Sequence, residues 1–153
     1  MTNMPNLSPV MNVQELNAFL AEVFPQLDHG RGTDGEPSLL VTRVAPGEVD
    51  MRLRSDARHI RPGGTISGPA LFTLADVTGY GLVLSHIGGE ALAVTTNLNI
   101  NFMRKAAPGI VTSEGRLLKL GRQLAVFDAV MKAEGEVVAH ATGTYAIPPK
   151  RKV

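Results

Sequence analysis

One carboxylate interrupts the most apolar stretch of the chain, SGPALFTLADVTGYGLVLSHIGG at residues 67–89. It belongs to Asp76, and a carboxylate held in apolar surroundings can serve as a general base or as a nucleophile. Eight residues earlier, Ser67, Gly68 and Pro69 are typical of a helix start, where Ser caps the first turn and Pro begins it. The free N–H groups there attract anions, and Gly68 has no side chain to keep a ligand oxygen away.

The composition is that of one soluble globular domain. The chain has 153 residues, of which 44% are hydrophobic and 19% are charged, as in ordinary single-domain proteins. Lys and Arg number 15 against 14 Asp and Glu, so the near-zero net charge gives no reason to expect nucleic acid as a partner. Without cysteine, disulfides and thiolate metal sites are excluded. The four histidines show no metal-ligand spacing and no acid partner, so we expect no metal.

The N-terminus and the long apolar run bear on location. The N-terminal sequence has neither the basic region nor the apolar core of a signal peptide, so we expect a cytoplasmic protein. The run from 68 to 84 approaches the length of a membrane span, but Asp76 within it would be costly in lipid. We therefore expect no membrane partner.

The first third of the chain predicts a short helix, a loop and a hairpin. Asn12 followed by Glu15 forms a capping-box pattern that opens a helix over 13–24. The segment 28–37, DHGRGTDGEP, is rich in Gly and charge and is typical of a loop. Two runs with alternating apolar residues then flank the turn 45–47, which indicates a β-hairpin.

A long helix and a strand with two distinct faces follow. The helix is predicted over 68–87 and ends at Gly88-Gly89. In the next run, 91–105, one face is predicted to be buried and consists of Leu92, Val94, Thr96, Leu98, Ile100 and Phe102. The other face is small and polar and carries Ala93, Thr95, Asn97, Asn99 and Asn101.

Three further strand-like runs, IVTSEGRLLKL, QLAVFDAVMKA and VVAHATGTYAI, complete the pattern. A helix that is apolar all round must be covered on most sides, and a curling antiparallel sheet would cover it. The prediction is one α+β domain over 1–153, with an N-terminal helix and loop at 1–37 and a flexible tail at 148–153.

Two segments, 61-RPGGTISGPALFTLAD-76 and 94-VTTNLNINFMRKA-106, resemble the signatures of hotdog-fold acyl-CoA thioesterases of the phenylacetate-degradation type. In that family the central helix opens with N-P-x-G-x-x-H-G-G-x-x-x-x-L-x-D, and the matching residues are Pro62, Gly64, Gly68, Leu74 and Asp76. Three positions depart from the pattern: the family's Asn is Arg61, its His is Ser67 and its second Gly is Pro69. The resemblance covers residues 38–147 and implies a long central helix wrapped by a curved antiparallel sheet.

The resemblance also implies an activity and residue roles. The activity is hydrolysis of an acyl-CoA thioester, with a medium-chain or aryl acyl group, to the free acid and coenzyme A. Asp76 would be the general base or nucleophile, and the Gly68 N–H would polarise the thioester carbonyl. A hydroxyl at Thr95 would face the site, and a basic pair would hold coenzyme A phosphates. The predicted substrate-binding residues are Arg61, Gly64, Ser67, Thr95, Thr96, Asn97, Arg104 and Lys105. No cofactor is implied beyond the coenzyme A of the substrate.

Helix geometry makes oligomerisation a condition of this chemistry. Eight residues separate Gly68 from Asp76, which is about 12 Å along a helix axis. Both groups must approach one carbonyl and its water to about 3–4 Å. Two antiparallel copies, each lending its helix start to the other's acid, meet that condition. We therefore expect a homodimer, which the resemblance extends to a dimer of dimers, a homotetramer.

Several interpretations stay open at this point. Asp76 could simply bond Thr73 or a neighbouring strand, Ser67 could be only a helix cap, and Arg104 and Lys105 could be solvated charges. A non-catalytic acyl-CoA binding or sensing module is an alternative, because the family's Asn and His are missing. A hotdog hydratase or dehydratase is another, although His59 lies eight residues before the helix, which argues against it.

Overall fold

The structure is a computed structural model that describes residues 7–25 and 35–149. Residues 28–34 of the predicted loop, which include His29, lie outside the described residues. Residues 150–153 of the predicted tail also lie outside them. The described chain forms two α-helices and six strands.

Helix α1, Val13–Val23, begins with the predicted capping box. Asn12 Oδ1 accepts a hydrogen bond from the Glu15 N–H at 2.8 Å, and Glu15 Oε1 accepts one from the Asn12 N–H at 3.2 Å. Its apolar stripe places Leu16 and Leu20 in the core. The helix prediction is confirmed, and α1 covers part of the longer helix.

The strands form one antiparallel sheet. In chain order they are β1 (Leu39–Ala45), β2 (Glu48–Arg54), β3 (Val94–Phe102), β4 (Ile110–Leu120), β5 (Leu124–Ala133) and β6 (Glu136–Ala146). Their order in the sheet is β1-β2-β4-β5-β6-β3, with every neighbouring pair antiparallel. Strand β3 follows the long helix in sequence but lies at the far edge of the sheet.

Helix α2, Gly68–Ile87, packs across the inner face of the sheet and ends where Gly88 adopts φ 97°. Two glycines permit its close approach: a Cβ at Gly79 or at Gly143 of β6 would overlap the ring of Phe127. By length and composition α2 could cross a membrane, but 78% of its apolar window is buried in the protein's own core. The α+β prediction is confirmed, and a long helix wrapped by an antiparallel sheet is the hotdog arrangement.

A bulge in β3 corrects the predicted strand faces. Thr95 is opposite Tyr145 of β6 and Asn97 is opposite Thr144, so Thr96 is an extra residue in the ladder. The extra residue reverses the alternation. Thr95 therefore lies on the helix-facing side with Leu98, and the prediction that Thr95 and Asn97 share a face is wrong.

The predicted buried face of β3 is also only partly correct. Leu98 and Ile100 are half-buried, whereas Leu92, Val94 and Phe102 are 64%, 56% and 54% exposed. Val94 is the neighbour of the inward-facing Thr95 and therefore lies on the outer face, and Leu92 precedes the strand. Phe102 is exposed at the end of a strand that pairs on one side only within the described residues. This edge carries apolar side chains that the described part of the chain leaves uncovered.

Candidate active site

Asp76 is half-buried on α2, and one of its two carboxylate oxygens is fixed by the sheet. Oδ1 accepts hydrogen bonds from the Thr95 hydroxyl at 2.5 Å and from the Tyr145 hydroxyl at 2.8 Å. Among the described residues, none donates to Oδ2. The Thr73 hydroxyl donates to the Pro69 carbonyl at 3.0 Å instead, so the interpretation in which Thr73 holds Asp76 is not the one observed.

Tyr145 is a rigid donor at this site. Its side chain is buried, stacks on Tyr80 with ring centroids 5.9 Å apart, and tilts against Phe127 at 6.1 Å. Its hydroxyl lies 2.9 Å from the main-chain oxygen of Asp76 as well as close to Oδ1. Burial and the neighbouring charge of Asp76 raise the pKa of Tyr145. The phenol therefore stays protonated and keeps its donor role.

The start of α2 leaves one N–H unused. Ser67 is the N-cap, and its Oγ accepts from the Ala70 N–H at 3.2 Å. The Leu71 N–H donates to the Ser67 carbonyl at 3.2 Å, and Pro69 has no N–H. Within residues 7–25 and 35–149, the Gly68 N–H has no acceptor, so the positive end of the helix presents this donor alone.

An open groove of about 390 Å³ runs past Gly68 and brings three predicted substrate-binding residues together. Arg61, Arg104 and Lys105 line it together with Phe102, whose ring would lie 3.3 Å from a Cβ at position 68. Arg104 pairs with Glu136 at 3.1 Å in an exposed ion pair, which contributes little to stability. The groove combines one free main-chain donor with three cationic side chains.

The loop before α2 explains the predicted Gly64. The Arg61 N–H donates to the Thr65 carbonyl at 2.9 Å, and the Gly64 N–H donates to the Arg61 carbonyl at 3.0 Å. Gly63 and Gly64 adopt φ angles of 103° and 86°, which side chains disfavour. The Gly64 N–H is bonded to the Arg61 carbonyl and is not available to a substrate. The role that the structure gives Gly64 is to form the turn that follows Arg61.

Thr96 and Asn97 are not brought to Asp76 within the chain. The bulged Thr96 donates from its hydroxyl to the Thr144 carbonyl at 3.3 Å, and Asn97 is exposed on the outer face of the sheet. Gly68 and Asp76 also remain eight residues apart on one helix. Their roles in substrate binding and catalysis stay predictions.

The described histidines do not form a metal site. No group of three or more His, Asp or Glu side chains is arranged to hold a metal within the described ranges. Two histidines do have an acid partner, contrary to expectation. His59 Nδ1 lies 3.5 Å from Asp56 Oδ1, three residues earlier in the chain. His140 Nε2 lies 3.1 Å from Asp128 Oδ2, and Arg116 Nε lies 2.7 Å from Asp128 Oδ1. Strands β4, β5 and β6 bring these three residues together across the sheet, which no sequence spacing reveals.

Tyr145 is the site residue that sequence reasoning missed. Its run, VVAHATGTYAI, alternates small residues with polar ones, and Tyr145 continues the face of Ala139, Ala141 and Gly143. A single large side chain with a polar tip at the end of a small-residue face is the available signal. It does not identify the partner, because 69 residues separate Tyr145 from Asp76.

Comparison with known proteins identifies the family. The family model of the thioesterase superfamily matches residues 63–140, which hold both the helix start and the carboxylate. The chain belongs to the thioesterase superfamily. The general activity of this member is therefore hydrolysis of a small-molecule thioester.

The chain is also similar to three individual proteins. A protein of Silicibacter sp. TM1040 proposed to be a thioesterase is 47% identical, with 95% of this chain and 97% of that chain covered and a TM-score of 0.82. A protein of Pseudomonas aeruginosa proposed to be an esterase is 33% identical over 68% of this chain and 78% of its own length. A mutant phenylacetic acid degradation protein from Thermus thermophilus is 27% identical, with 72% of this chain and 94% of that chain covered and a TM-score of 0.66.

Proposed function

We propose that this thioesterase hydrolyses acyl-CoA at a site shared by two subunits. Asp76 of one subunit is the general base or nucleophile, and the Gly68 N–H of the other polarises the thioester carbonyl. The observation that carries the proposal is a pair of unused groups: Asp76 Oδ2 has no donor and the Gly68 N–H has no acceptor among the described residues. One is suited to attack a carbonyl carbon and the other to stabilise its oxygen.

The edge strand supplies a way to bring the two groups together. Gly68 lies against Phe102 at one end of β3, and Asp76 is bonded to Thr95 at the other end. If two copies of β3 pair antiparallel about a two-fold axis, the Thr95 end of one lies beside the Phe102 end of the other. Asp76 would then approach Gly68 of the second copy. The exposed Val94 and Phe102 and the unpaired edge of β3 support such pairing.

The chemistry follows from these two groups. As a general base, Asp76 Oδ2 takes a proton from water while the water oxygen attacks the carbonyl carbon. The carbonyl electron pair moves onto oxygen, which accepts a hydrogen bond from the Gly68 N–H of the other subunit. The electron pair on oxygen then re-forms the carbonyl as the C–S bond breaks, and sulfur leaves with the bonding pair and takes the proton from Asp76 to become a thiol. As a nucleophile, Oδ2 attacks directly, thiolate leaves, and water splits the resulting anhydride to release the acid and restore Asp76.

Charge and apolar surface support the choice of substrate. The groove beside Gly68 carries Arg61, Arg104 and Lys105, and clustered cations suit the phosphates of coenzyme A. Phe72, one turn before Asp76 on the same face of α2, is 41% exposed. Its ring offers an apolar wall for a medium-chain or aryl acyl group. Likeness to a phenylacetic acid degradation protein favours the aryl choice.

Thiol release from a panel of acyl-CoA thioesters tests the activity. Asp76→Asn preserves the shape of the side chain but removes its basic oxygen, so we expect roughly a hundred-fold loss of kcat or more, on the order of the loss of a base or nucleophile. Turnover by Asp76→Asn equal to that of the parent would exclude the assigned role. Tight acyl-CoA binding by the parent without turnover would instead favour a sensing module.

Subunit mixing tests whether the site is shared. Gly68→Pro removes the N–H and Asp76→Asn removes the base, so each homodimer has two defective sites. A mixed dimer has one site with both groups intact, and random mixing of equal amounts should restore about a quarter of the parent activity.

The matched control mixes Asp76→Asn with a double variant that carries both Gly68→Pro and Asp76→Asn. Its mixed dimers contain no site with both groups intact, so it should recover nothing. Failure of the first mixture to recover activity, after subunit exchange is complete, would place both groups of a site within one subunit and overturn the shared site.

A further inference from the structure

We infer that Tyr145 is a positioning residue that, together with Thr95, anchors Oδ1 of Asp76 and so makes Oδ2 the reacting oxygen. This inference rests on the proposed role of Asp76 and assigns a different role to each of its carboxylate oxygens, one of which is anchored while the other reacts. The hydrogen bonds support these two roles, because the Thr95 and Tyr145 hydroxyls both donate to Oδ1 while no described residue donates to Oδ2.

The capacity of a carboxylate limits what Oδ1 can do. Each oxygen offers about two lone-pair directions, and hydroxyls 2.5 Å and 2.8 Å away account for two at Oδ1. An oxygen whose two lone-pair directions are occupied by donors is less basic and has no free direction in which to take a proton or attack carbon. Oδ2 keeps its lone pairs, and the half-buried position of Asp76 leaves this side chain accessible.

The anchor is held in place by the sheet. Thr95 and Tyr145 are directly opposite on β3 and β6, and the bulge at Thr96 puts Thr95 on the helix-facing side. The Tyr145 ring is packed between Tyr80 and Phe127 and is 3% exposed. Donors on two paired strands restrict rotation of the carboxylate better than one donor on a loop would.

Tyr80 supplies a matched comparison. Its hydroxyl donates to the Ala91 carbonyl at 2.8 Å and makes no contact with Asp76, although its ring stacks on Tyr145. A change of Tyr80 to Phe therefore removes the same atom from a buried, stacked ring. Any loss specific to Tyr145→Phe comes from the bond to the carboxylate and not from removing a phenol from this cluster.

Steady-state kinetics on an acyl-CoA that the parent hydrolyses test the inference. We expect Tyr145→Phe to lower kcat by roughly ten-fold, the size of a lost hydrogen bond to a charged group, with KM within about two-fold of the parent. Tyr80→Phe should retain kcat within about two-fold, since no donor to Asp76 is lost. Thr95→Val should lower kcat in the same way, and Thr95→Ser, which keeps the hydroxyl, should restore it.

The outcomes separate this inference from the proposed function. Equal kcat values for Tyr145→Phe and Tyr80→Phe, with Asp76→Asn inactive, would overturn the anchoring role and leave the catalytic role of Asp76 intact. An active Asp76→Asn would overturn both. If Tyr145→Phe does not fold, the Thr95 pair decides: equal kcat for Thr95→Val and Thr95→Ser would contradict the anchor, and rescue by Ser would support it.

Discussion

The N–H of Gly47, in the turn between β1 and β2, donates to Nε2 of His86 in the last turn of α2 at 2.8 Å. Nε2 must therefore be unprotonated, and Nδ1, which lies 2.8 Å from the Leu82 carbonyl, carries the proton. The His86 side chain is buried, and burial lowers its pKa. Protonation of Nε2 would place two donors against each other at this contact.

This bond predicts a stability that falls with acidity. The unfolded chain binds a proton at His86 as the pH drops through 6.5, whereas the folded chain, with a lower pKa, does not. The free energy of unfolding should therefore decline below about pH 6.5. Urea unfolding between about pH 8 and pH 5.5 should show a smaller decline for His86→Gln than for the parent.

His59 has a pKa that burial also lowers, and it contributes a decline of the same sign to both proteins. The difference between the parent and His86→Gln therefore isolates His86. Identical slopes for the two proteins would show that the bond between Gly47 and His86 does not favour the neutral imidazole.

Gly68→Pro should act on the transition state. Ser67 has φ −72° and ψ 153°, a conformation that suits a residue before proline, and proline is favoured in the first helical turn. The change should therefore remove the N–H without disrupting the helix, and kcat should fall by about 10²–10³, as for other oxyanion donors. Gly68→Ala is the control, since it adds the same Cβ near Phe102 but keeps the N–H. Comparable kcat values for the two variants would rule out the donor role.

The groove lined by Arg61, Arg104 and Lys105 should bind the phosphates of the coenzyme A part of the substrate. Arg61→Ala and Lys105→Ala should each raise KM for an acyl-CoA by several-fold, on the order of 1 kcal/mol per lost phosphate contact. KM for the matching acyl-N-acetylcysteamine thioester, which lacks phosphates, should not change. Lys119→Ala, which removes a cation beside the other end of α2, is the control. Equal effects on both substrates would contradict phosphate binding in this groove.

Two glycines of α2 should respond differently to alanine. A Cβ at Gly79 would overlap the Phe127 ring, whereas a Cβ at Gly81 would have its nearest neighbours, on Leu16 and Val49, at 3.6 Å. Gly79→Ala should lower the free energy of unfolding by about 1–3 kcal/mol through overpacking. Gly81→Ala should be neutral or should raise it by up to about 1 kcal/mol, because alanine favours helix. Urea unfolding measures both, and equal changes would show that the ring of Phe127 moves aside freely.

Much of the fold follows from local sequence patterns. The apolar run that ends at Gly88 predicts α2, and alternation around the turn 45–47 predicts the first hairpin. The faces of β3 do not follow, because the extra residue Thr96 leaves no mark in the alternation of apolar side chains. A bulge is decided by pairing with β6, and pairing partners distant in sequence are not visible in a local pattern.

The candidate site also combines residues that a local sequence pattern identifies with a residue that it does not. Gly68 and Asp76 lie in one continuous motif, so their types and spacing identify them together. The anchor on Asp76 depends on Tyr145, a residue whose relevance arises only when β6 lies beside β3. Sequence spacing predicts the site residues that lie on a single helix. Tertiary structure decides which strands supply the remaining residues of the site.

The extra residue in β3 also separates two surfaces that a regular strand would couple. Before Thr96, the strand contributes the Thr95 hydroxyl that donates to Asp76. After Thr96, Asn97, Asn99 and Asn101 face outward. Substitutions along that asparagine row therefore alter the outer surface of the sheet and leave the contact between Thr95 and Asp76 in place.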